Sequence, residues 1–173
     1  CLRIFDRVLV DRLEILASGE VLVHALRRET PFTVVAERVV LCAGSYSSPA
    51  LLQRSGIADP ELLGRRGISV SHALRGVGRN LQDHPLVEML YLRNEETRSA
   101  MQDPLFAKKF APTETTMGKF ASSRSSAPYD IHILPAGTST QVKDLGPSSG
   151  FYISPVFTQS RGRIAIRSAD PRQ

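Results

Sequence analysis

Apolar residues in the first part of the chain fall into short runs separated by turn residues, a pattern typical of β-strands. The runs predict extended segments at Leu2–Phe5, Val8–Leu16 and Val21–Leu26, and a further one that begins near Phe32. The sequence Ala-Ser-Gly-Glu at 17–20 supplies the turn before the third run. We expect these segments to form an antiparallel meander.

A continuous apolar run, Val39–Cys42, follows the meander and does not alternate with polar residues. Such a run is typical of a strand that is covered on both faces, as in a parallel or mixed sheet. The pattern therefore predicts that Cys42 is buried. A reduced thiol that packs as a small apolar side chain is the expected state for a buried cysteine without ligand-spaced neighbours.

Two short helices are predicted after this run. Ser48 suits the N-cap of the first helix, and proline fits the first position, so the helix is expected over Pro49–Ser55, followed by Gly56 in a left-handed conformation. The sequence Asp59-Pro60-Glu61 repeats this start signal, and Gly67 is expected to end the second helix. A short strand is predicted over Ile68–Val70.

The segment Ala43-Gly44-Ser45 joins the predicted buried strand to the first helix. Its small side chains leave the backbone almost bare, so that another molecule could approach the amide and carbonyl groups closely. The alternative is that Gly44 only allows the chain to turn.

The second half of the chain is predicted to form mainly strands. Extended segments are expected at Leu86–Leu92, at the alternating stretch around Ile131 and Ile133, at Phe151–Phe157, and at Arg163–Arg167 as the hairpin partner of Phe151–Phe157. Residues 93–128 form the least patterned part, and Ser122–Pro128 has the composition of a linker.

Composition excludes several classes of protein. The chain has 173 residues, of which 42% are hydrophobic, so it has enough apolar material for a core. Its formal charge of +5 is scattered, with no basic run interleaved with aromatic residues, which argues against nucleic-acid binding. No apolar stretch approaches the roughly 20 residues of a membrane span, and no signal peptide is visible, so cytoplasmic location is the default expectation.

Few residues carry a recognisable catalytic pattern by themselves. The sequence Gly-Val-Gly-Arg-Asn-Leu at 76–81 lacks the third glycine of a dinucleotide fingerprint and predicts a flexible loop. Asp83 and His84 are adjacent, which in most backbones gives a capping Asp and a surface or packing His instead of an acid-base pair. No His or Cys has metal-ligand spacing, so no metal site is predicted, and no serine lies in a Gly-x-Ser-x-Gly elbow.

The stretch Gly44–Ile57 resembles the second signature of the glucose-methanol-choline (GMC) oxidoreductases, a family of flavoproteins. The residues that carry the resemblance are Gly44, Ser45, Ser48, Pro49, Leu51, Leu52, Ser55, Gly56 and Ile57. The sequence Gly-Val-Gly-Arg-Asn-Leu-Gln-Asp-His-Pro at 76–85 is similar to the loop that follows in the family, and residues 160–171 are similar to a strand pair of its substrate domain. The family signature usually closes with glycine where this chain has Ala58.

The resemblance implies FAD as the cofactor, resting against the backbone of Ala43 and Gly44. It also implies that the backbone of Val10 meets the adenine, and that Asn80, Asp83 and His84 order a loop near the cofactor. The implied fold is mixed α/β: part of a Rossmann-like FAD domain with a β-meander over residues 1–85, and part of an antiparallel substrate-binding domain over 86–173. The implied reaction is hydride transfer from a small-molecule alcohol to the flavin.

Two features expected of the family are not found in this sequence, the amino-terminal Gly-x-Gly-x-x-Gly turn and the carboxy-terminal catalytic His pair. The chain also begins at Cys1. We therefore expect an internal piece of a longer enzyme, with no catalytic residue of its own and no activity when isolated. Two alternatives are a truncated or decayed paralogue that serves as a binding module, and an NAD(P)H-dependent flavoprotein reductase, which would need a second dinucleotide motif.

Overall fold

The computed structural model describes residues 2–92, 94–96, 99, 117–136 and 148–173. In chain order the elements are β1 (Val8–Ile15), β2 (Val21–Arg27), β3 (Thr30–Ala36), α1 (Gly44–Arg54), β4 (Ile57–Ala58), α2 (Pro60–Gly64), β5 (His72–Ala73), β6 (Arg79–Leu81), β7 (Val87–Leu92), β8 (Gly118–Phe120), β9 (Ile131–Ala136), β10 (Ser148–Pro155) and β11 (Gly162–Arg163). The predicted mixed α/β fold with antiparallel sheets is confirmed.

The chain forms two compact units. The first contains Cys1–Gln82 together with Ser160–Gln173, and the second contains Asp83–Gln159. The assignment of a cofactor domain to 1–85 and a substrate domain to 86–173 is a functional division that stays a prediction.

The first unit contains the expected meander, in which β1, β2 and β3 pair in sequence order and antiparallel. The extended segment predicted at Leu2–Phe5 was wrong, because these residues form no strand. Val10 lies opposite Ala25, and an irregularity between Val10 and Arg12 shifts the register of β1. Leu13 and Ala25 are buried on this sheet. Because β1 is an edge strand, one side of its backbone is available to other elements of the unit.

The segment Val39–Cys42 does not form the buried strand that its sequence predicts. It has no strand conformation, the side chain of Val40 is 84% exposed, and Cys42 is an exposed free thiol. A strand requires a hydrogen-bonded neighbour. Among the described residues none pairs with this segment, so the apolar run forms no strand, and its side chains are half-buried or exposed.

Helix α1 begins five residues earlier than predicted, with Ala43 as its N-cap. Ser48 and Pro49 therefore lie inside the helix, and the prediction of Ser48 as N-cap was wrong. Its hydroxyl still serves the helix start, because the Oγ of Ser48 accepts a hydrogen bond from the N–H of Ala43 at 3.1 Å. A side chain inside the helix thus accepts the N–H of the N-cap residue.

Gly56 has the left-handed backbone that the sequence predicts, with φ of +75°. A Cβ at this position would lie 2.4 Å from the carbonyl O of Ser69, so only glycine fits. The residues that follow form β4, which pairs in parallel with β5. The short strand predicted over Ile68–Val70 is wrong in position, since the pairing residues are His72 and Ala73.

Helix α2 begins as predicted. Asp59 is its N-cap, the side chain accepts the N–H of Glu61 at 3.1 Å, and proline occupies the first helical position. The helix ends at Gly64, three residues before the expected stop at Gly67. Leu63 is fully buried on its inner face.

The second unit contains a four-stranded antiparallel sheet in the order β7, β10, β9, β8. His132 on β9 lies opposite Ser154 on β10, and within the described residues the His132 Nε2 and Ser154 Oγ atoms are buried without a hydrogen-bond partner. Ser122 donates to Asp130 through both its N–H and its Oγ at 2.6 Å, and these bonds lower the pKa of Asp130. The predicted linker at 122–128 is thus tied to the start of β9, while most of the predicted 93–128 loop lies outside the described residues.

The strand that contains Arg163 pairs differently from the prediction. β11 pairs with β6 in the first unit, whereas β10 pairs with β7 and β9. The expected hairpin between Phe151–Phe157 and Arg163–Arg167 was therefore wrong. Gly76–Leu81 was expected to be a loop, but its last three residues form β6.

Candidate functional site

Helix α1 is held in place by the buried side chain of Gln53, which is 0% exposed. Its Nε2 donates to the carbonyl O of Ile164 at 2.9 Å, and its Oε1 accepts the N–H of Ile166 at 2.9 Å. One amide thus satisfies both a donor and an acceptor of the segment after β11, as a neighbouring strand would. The N–H of Ile164 in turn donates to the carbonyl O of Gly78 at 2.7 Å, which ties β6 to the same assembly.

The carboxyl end of α1 is fastened to the edge of β1. The Oγ of Ser55 accepts the N–H of Leu13 at 2.8 Å and donates to the carbonyl O of Leu51 at 2.7 Å. The Nε of Arg54 donates to the carbonyl O of Asp11 at 2.8 Å, and its Nη2 lies 3.5 Å from the carbonyl O of Val10. Burial lowers the pKa of Arg54, and the Asp11 carboxylate, 3.8 Å from Nε, opposes this effect.

The amino end of α1 is open. Ala43, Gly44 and Ser45 are exposed, Gly44 has φ of +79°, and a Cβ built there would have no heavy atom within 4 Å. No acidic residue lies in the first turn. The first amides of a helix carry partial positive charge and have no intrahelical acceptor. The backbone at this end is therefore accessible and suited to an electron-rich group.

A cavity of about 420 Å³ adjoins this end of the helix. Ser45 and Pro49 of α1 line it on one side, and residues 78–82 line it together with Ile164. Because Pro49 has no N–H, it cannot donate the bond that the carbonyl of Ser45 would otherwise accept in the helix. Asn80 has a left-handed backbone with φ of 63°, a conformation that asparagine tolerates better than most residues.

The structure brings some of the predicted site residues together and separates others. Ser45 of the signature and Asn80 line the same cavity. Val10 lies at the opposite end of α1, where Arg54 contacts it. Asp83 and His84 belong to the second unit, where the Oδ1 of Asp83 accepts the N–H of His84 at 2.8 Å.

Sequence reasoning did not single out Gln53 and Arg54 as site residues, although both lie within the signature stretch. The partners of Gln53 are 111 and 113 positions away, and those of Arg54 are more than 40 positions away. No local pattern points to such contacts. Only the placement of a polar residue next to Leu51 and Leu52 could have suggested a buried hydrogen-bonding role.

The described ranges contain neither a metal-binding cluster nor a membrane-spanning helix. No group of three or more His, Cys, Asp or Glu side chains is placed there to bind a metal ion. In the same ranges, no helix combines the length and apolar character needed to cross a bilayer.

The sequence is similar to one known protein family and to curated proteins. A family model described as GMC oxidoreductase matches residues 2–86. An oxygen-dependent choline dehydrogenase from Pectobacterium atrosepticum is 32% identical over 191 aligned positions, which cover 99% of this chain and 34% of that protein. The chain thus spans about a third of the length of this curated relative.

Solved structures show the same fold. Pyridoxine 4-oxidase from Mesorbium loti superimposes with a TM-score of 0.73 at 25% identity, covering 94% of this chain and 32% of that one. Formate oxidase from Aspergillus oryzae RIB40, in which FAD modification has been examined, gives a TM-score of 0.73 at 20% identity, with coverage of 96% and 37%. Both matches extend over nearly all of the chain.

Proposed function

The chain belongs to the GMC oxidoreductase family, and on that premise we propose that it forms part of an FAD-dependent enzyme that oxidises alcohols. In this proposal the CH–OH carbon of the substrate gives up a hydride to the flavin. FAD supplies the electron-accepting chemistry, and the protein binds and orients it. No residue of this chain is assigned a catalytic step.

The observation that carries the proposal is the open backbone at Ala43 and Gly44. These residues begin α1, lie exposed, and have space beside Gly44 where a Cβ would otherwise project. The adjoining cavity, lined by Ser45 and Asn80, extends this accessible surface. The residues present therefore fit a flat or extended ligand that contacts main-chain groups, and we assign Ala43 and Gly44 to FAD contact.

The position of Val10 supports an extended ligand. Val10 is next to Arg54, the last residue of α1, whereas Gly44 is the first. An 11-residue helix is roughly 16 Å long at 1.5 Å per residue. A ligand that meets both the Val10 backbone and Gly44 would have to be extended, as a dinucleotide is. We propose that the adenine lies toward Val10, and that Asn80, Asp83 and His84 order the loop beside the cofactor.

The donor class follows from the names of the relatives. Choline and pyridoxine, named in two of them, each carry a primary alcohol. Formate, named in the third, offers a C–H bond without an alcohol carbon. The two relatives with the higher identity thus favour an alcohol donor, and oxidation of formate by the parent protein would contradict this assignment.

We further propose that the 173-residue polypeptide alone neither holds FAD tightly nor turns over alcohols, since it spans about a third of its curated relative. A longer parent protein containing this chain would do both. In the competing interpretation, a non-catalytic binding module, the parent would lack stoichiometric flavin. A flavin absorbance titration of both polypeptides distinguishes these interpretations.

A glycine pair tests the FAD contact itself. Gly44→Ala and Gly19→Ala both place a Cβ at a left-handed position, with φ of 79° and 88°, and neither Cβ meets a heavy atom within 4 Å. The folding cost should thus be similar, on the order of 1–2 kcal/mol. In the parent protein we expect Gly44→Ala alone to weaken FAD binding at least tenfold. Equal FAD affinity for the two variants would count against the proposed contact.

A further inference from the structure

A second cavity of about 600 Å³ lies in the first unit, between α2, the segment before β6, and β11. Among the residues that the structure describes, its lining is rich in arginine and contains no lysine. The charged residues of the lining are Asp59, Glu61, Arg65, Arg66, Arg75, Arg79, Arg161 and Arg163. Six arginines and two acidic residues thus line one concave surface.

The two carboxylates are already neutralised by part of this set. Asp59 accepts from Arg75 at 3.3 Å and from Arg79 at 3.0 Å. Glu61 pairs with Arg65 one helical turn away on α2. The carboxylates thus pair with three of the six arginines, whereas Arg66 and Arg163 have no acidic partner among the side chains of this lining.

Two of the remaining arginines are suited to bind a ligand. The Nε of Arg66 donates to the carbonyl O of Ile166 at 2.9 Å, which fixes the guanidinium at the cavity wall. Arg163 is exposed, and no hydrogen bond or ion pair of its side chain is found with any residue that the structure describes. Its backbone is held by pairing with Arg79, so its side chain starts from an ordered strand.

We propose that this cavity binds an anion that carries two or more phosphate groups. Guanidinium groups bind phosphate through two parallel N–H···O bonds, a geometry that lysine does not offer. A concave wall concentrates the field of the clustered charges, so a multiply charged anion gains more than a single carboxylate would. The site goes beyond the proposed function, because it involves α2 and β11 instead of the start of α1.

This cavity and the smaller one beside α1 share Gly78, Arg79, Asn80 and Ile164 in their linings. A bound phosphate group could thus belong either to a separate ligand or to FAD itself. We assign the cavity to a separate ligand, and titration of the parent protein with and without FAD distinguishes the two sources.

The test is calorimetric titration of the 173-residue chain with inorganic pyrophosphate at low ionic strength. We expect saturable one-to-one binding that weakens as salt is added. Arg163→Gln should weaken it roughly threefold, in line with the small contribution of an exposed charge pair. Arg27→Gln removes an exposed arginine outside the cavity and should leave the affinity within a factor of about 1.5.

Four results would overturn the proposal. The first is the absence of saturable binding, and the second is an equal loss with Arg27→Gln, which would indicate a response to net charge only. The third is loss of pyrophosphate binding in the parent once FAD is bound, which would assign the cavity to the cofactor. Tighter binding of a poly-glutamate peptide than of pyrophosphate would likewise replace the phosphate ligand with an acidic partner. None of these results bears on whether Gly44 contacts FAD.

Discussion

The side-chain Oε1 of Gln53 accepts a hydrogen bond from the backbone N–H of Ile166 at 2.9 Å, across 113 positions of sequence. The same amide donates to the carbonyl O of Ile164. A helix residue thereby completes the hydrogen bonding of an irregular segment from the far end of the chain. This contact fixes α1, and with it the exposed Ala43 and Gly44, relative to β6 and the cavity beside it.

Replacement of Gln53 should destabilise the first unit. Gln53→Leu keeps a similar volume but leaves the N–H of Ile166 and the carbonyl of Ile164 without their partner. We expect a loss of about 2–4 kcal/mol in the free energy of unfolding, because buried unpaired groups cost about 1–3 kcal/mol each. Urea denaturation measures this, with Gln82→Leu at an exposed position as the control. Equal midpoints for the two variants would show that the amide contributes little.

The variants Gly78→Ala and Gly67→Ala form a matched pair that tests how closely the segment at Gly78 packs against its neighbours. Both glycines have left-handed backbones, with φ of 79° and 65°. A Cβ at Gly78 would lie 2.3 Å from the carbonyl O of Ile164 and 2.5 Å from the Nε2 of Gln53, whereas one at Gly67 meets no heavy atom within 4 Å. Gly67→Ala should cost on the order of 1–2 kcal/mol from backbone strain, and Gly78→Ala clearly more. Similar thermal midpoints for the two variants would contradict this packing.

Even the conservative replacement Arg54→Lys should destabilise the protein. The side chain of Arg54 is 12% exposed, and its Nε donates to the carbonyl of Asp11. Lysine has no donor at the Nε position, so Arg54→Lys should lose about 1–3 kcal/mol of stability, close to the loss in Arg54→Ala. The exposed Arg65 provides the control, since its pair with Glu61 on the helix surface should contribute at most about 0.5 kcal/mol. Chemical denaturation measures the free energy of unfolding. A value for Arg54→Lys equal to that of the wild type would exclude the proposed role of Nε.

Asp59 should make stability depend on acid pH. The N–H of Glu61, followed by the side chains of Arg79 and Arg75, lowers the pKa of this carboxyl below its ordinary value of 3.8. A lowered pKa in the folded state stabilises the fold above the unfolded value, and this contribution is lost as the pH falls through the folded pKa. Asp59→Asn keeps a capping side chain without the charge. The deficit of this variant against the wild type should be present at pH 6, shrink below the ordinary pKa and disappear as the pH falls through the lowered folded-state pKa. A pH-independent deficit in urea unfolding would contradict the charge effect.

The features that sequence predicted correctly depend on neighbouring residues. Asp59 caps α2 because its carboxylate reaches an amide two positions on, and Gly56 takes its left-handed backbone directly after Ser55, the C-cap of α1. The short apolar runs separated by turn residues likewise predict a meander, since adjacent antiparallel strands need only short turns.

The features that sequence missed depend on distant partners. Val39–Cys42 has the composition of a buried strand, yet a strand forms only beside another strand, and the described residues provide none. The pairing of β11 with β6 joins residues about 80 positions apart, so the nearer hairpin was predicted instead. The roles of Gln53 and Arg54 have the same origin, because their acceptors lie on other elements. The assignment of Val10, Ala43, Gly44, Asn80, Asp83 and His84 to FAD stays a prediction from the family resemblance.

The most direct test of the central claim is an experimental structure of the FAD-loaded parent protein. The quantity to measure is the distance from the backbone atoms of Ala43 and Gly44 to the nearest FAD atom. We expect that distance to be about 3–4 Å, within hydrogen-bond or van der Waals contact. A structure in which this backbone is covered only by protein side chains, with FAD bound elsewhere, would contradict the account.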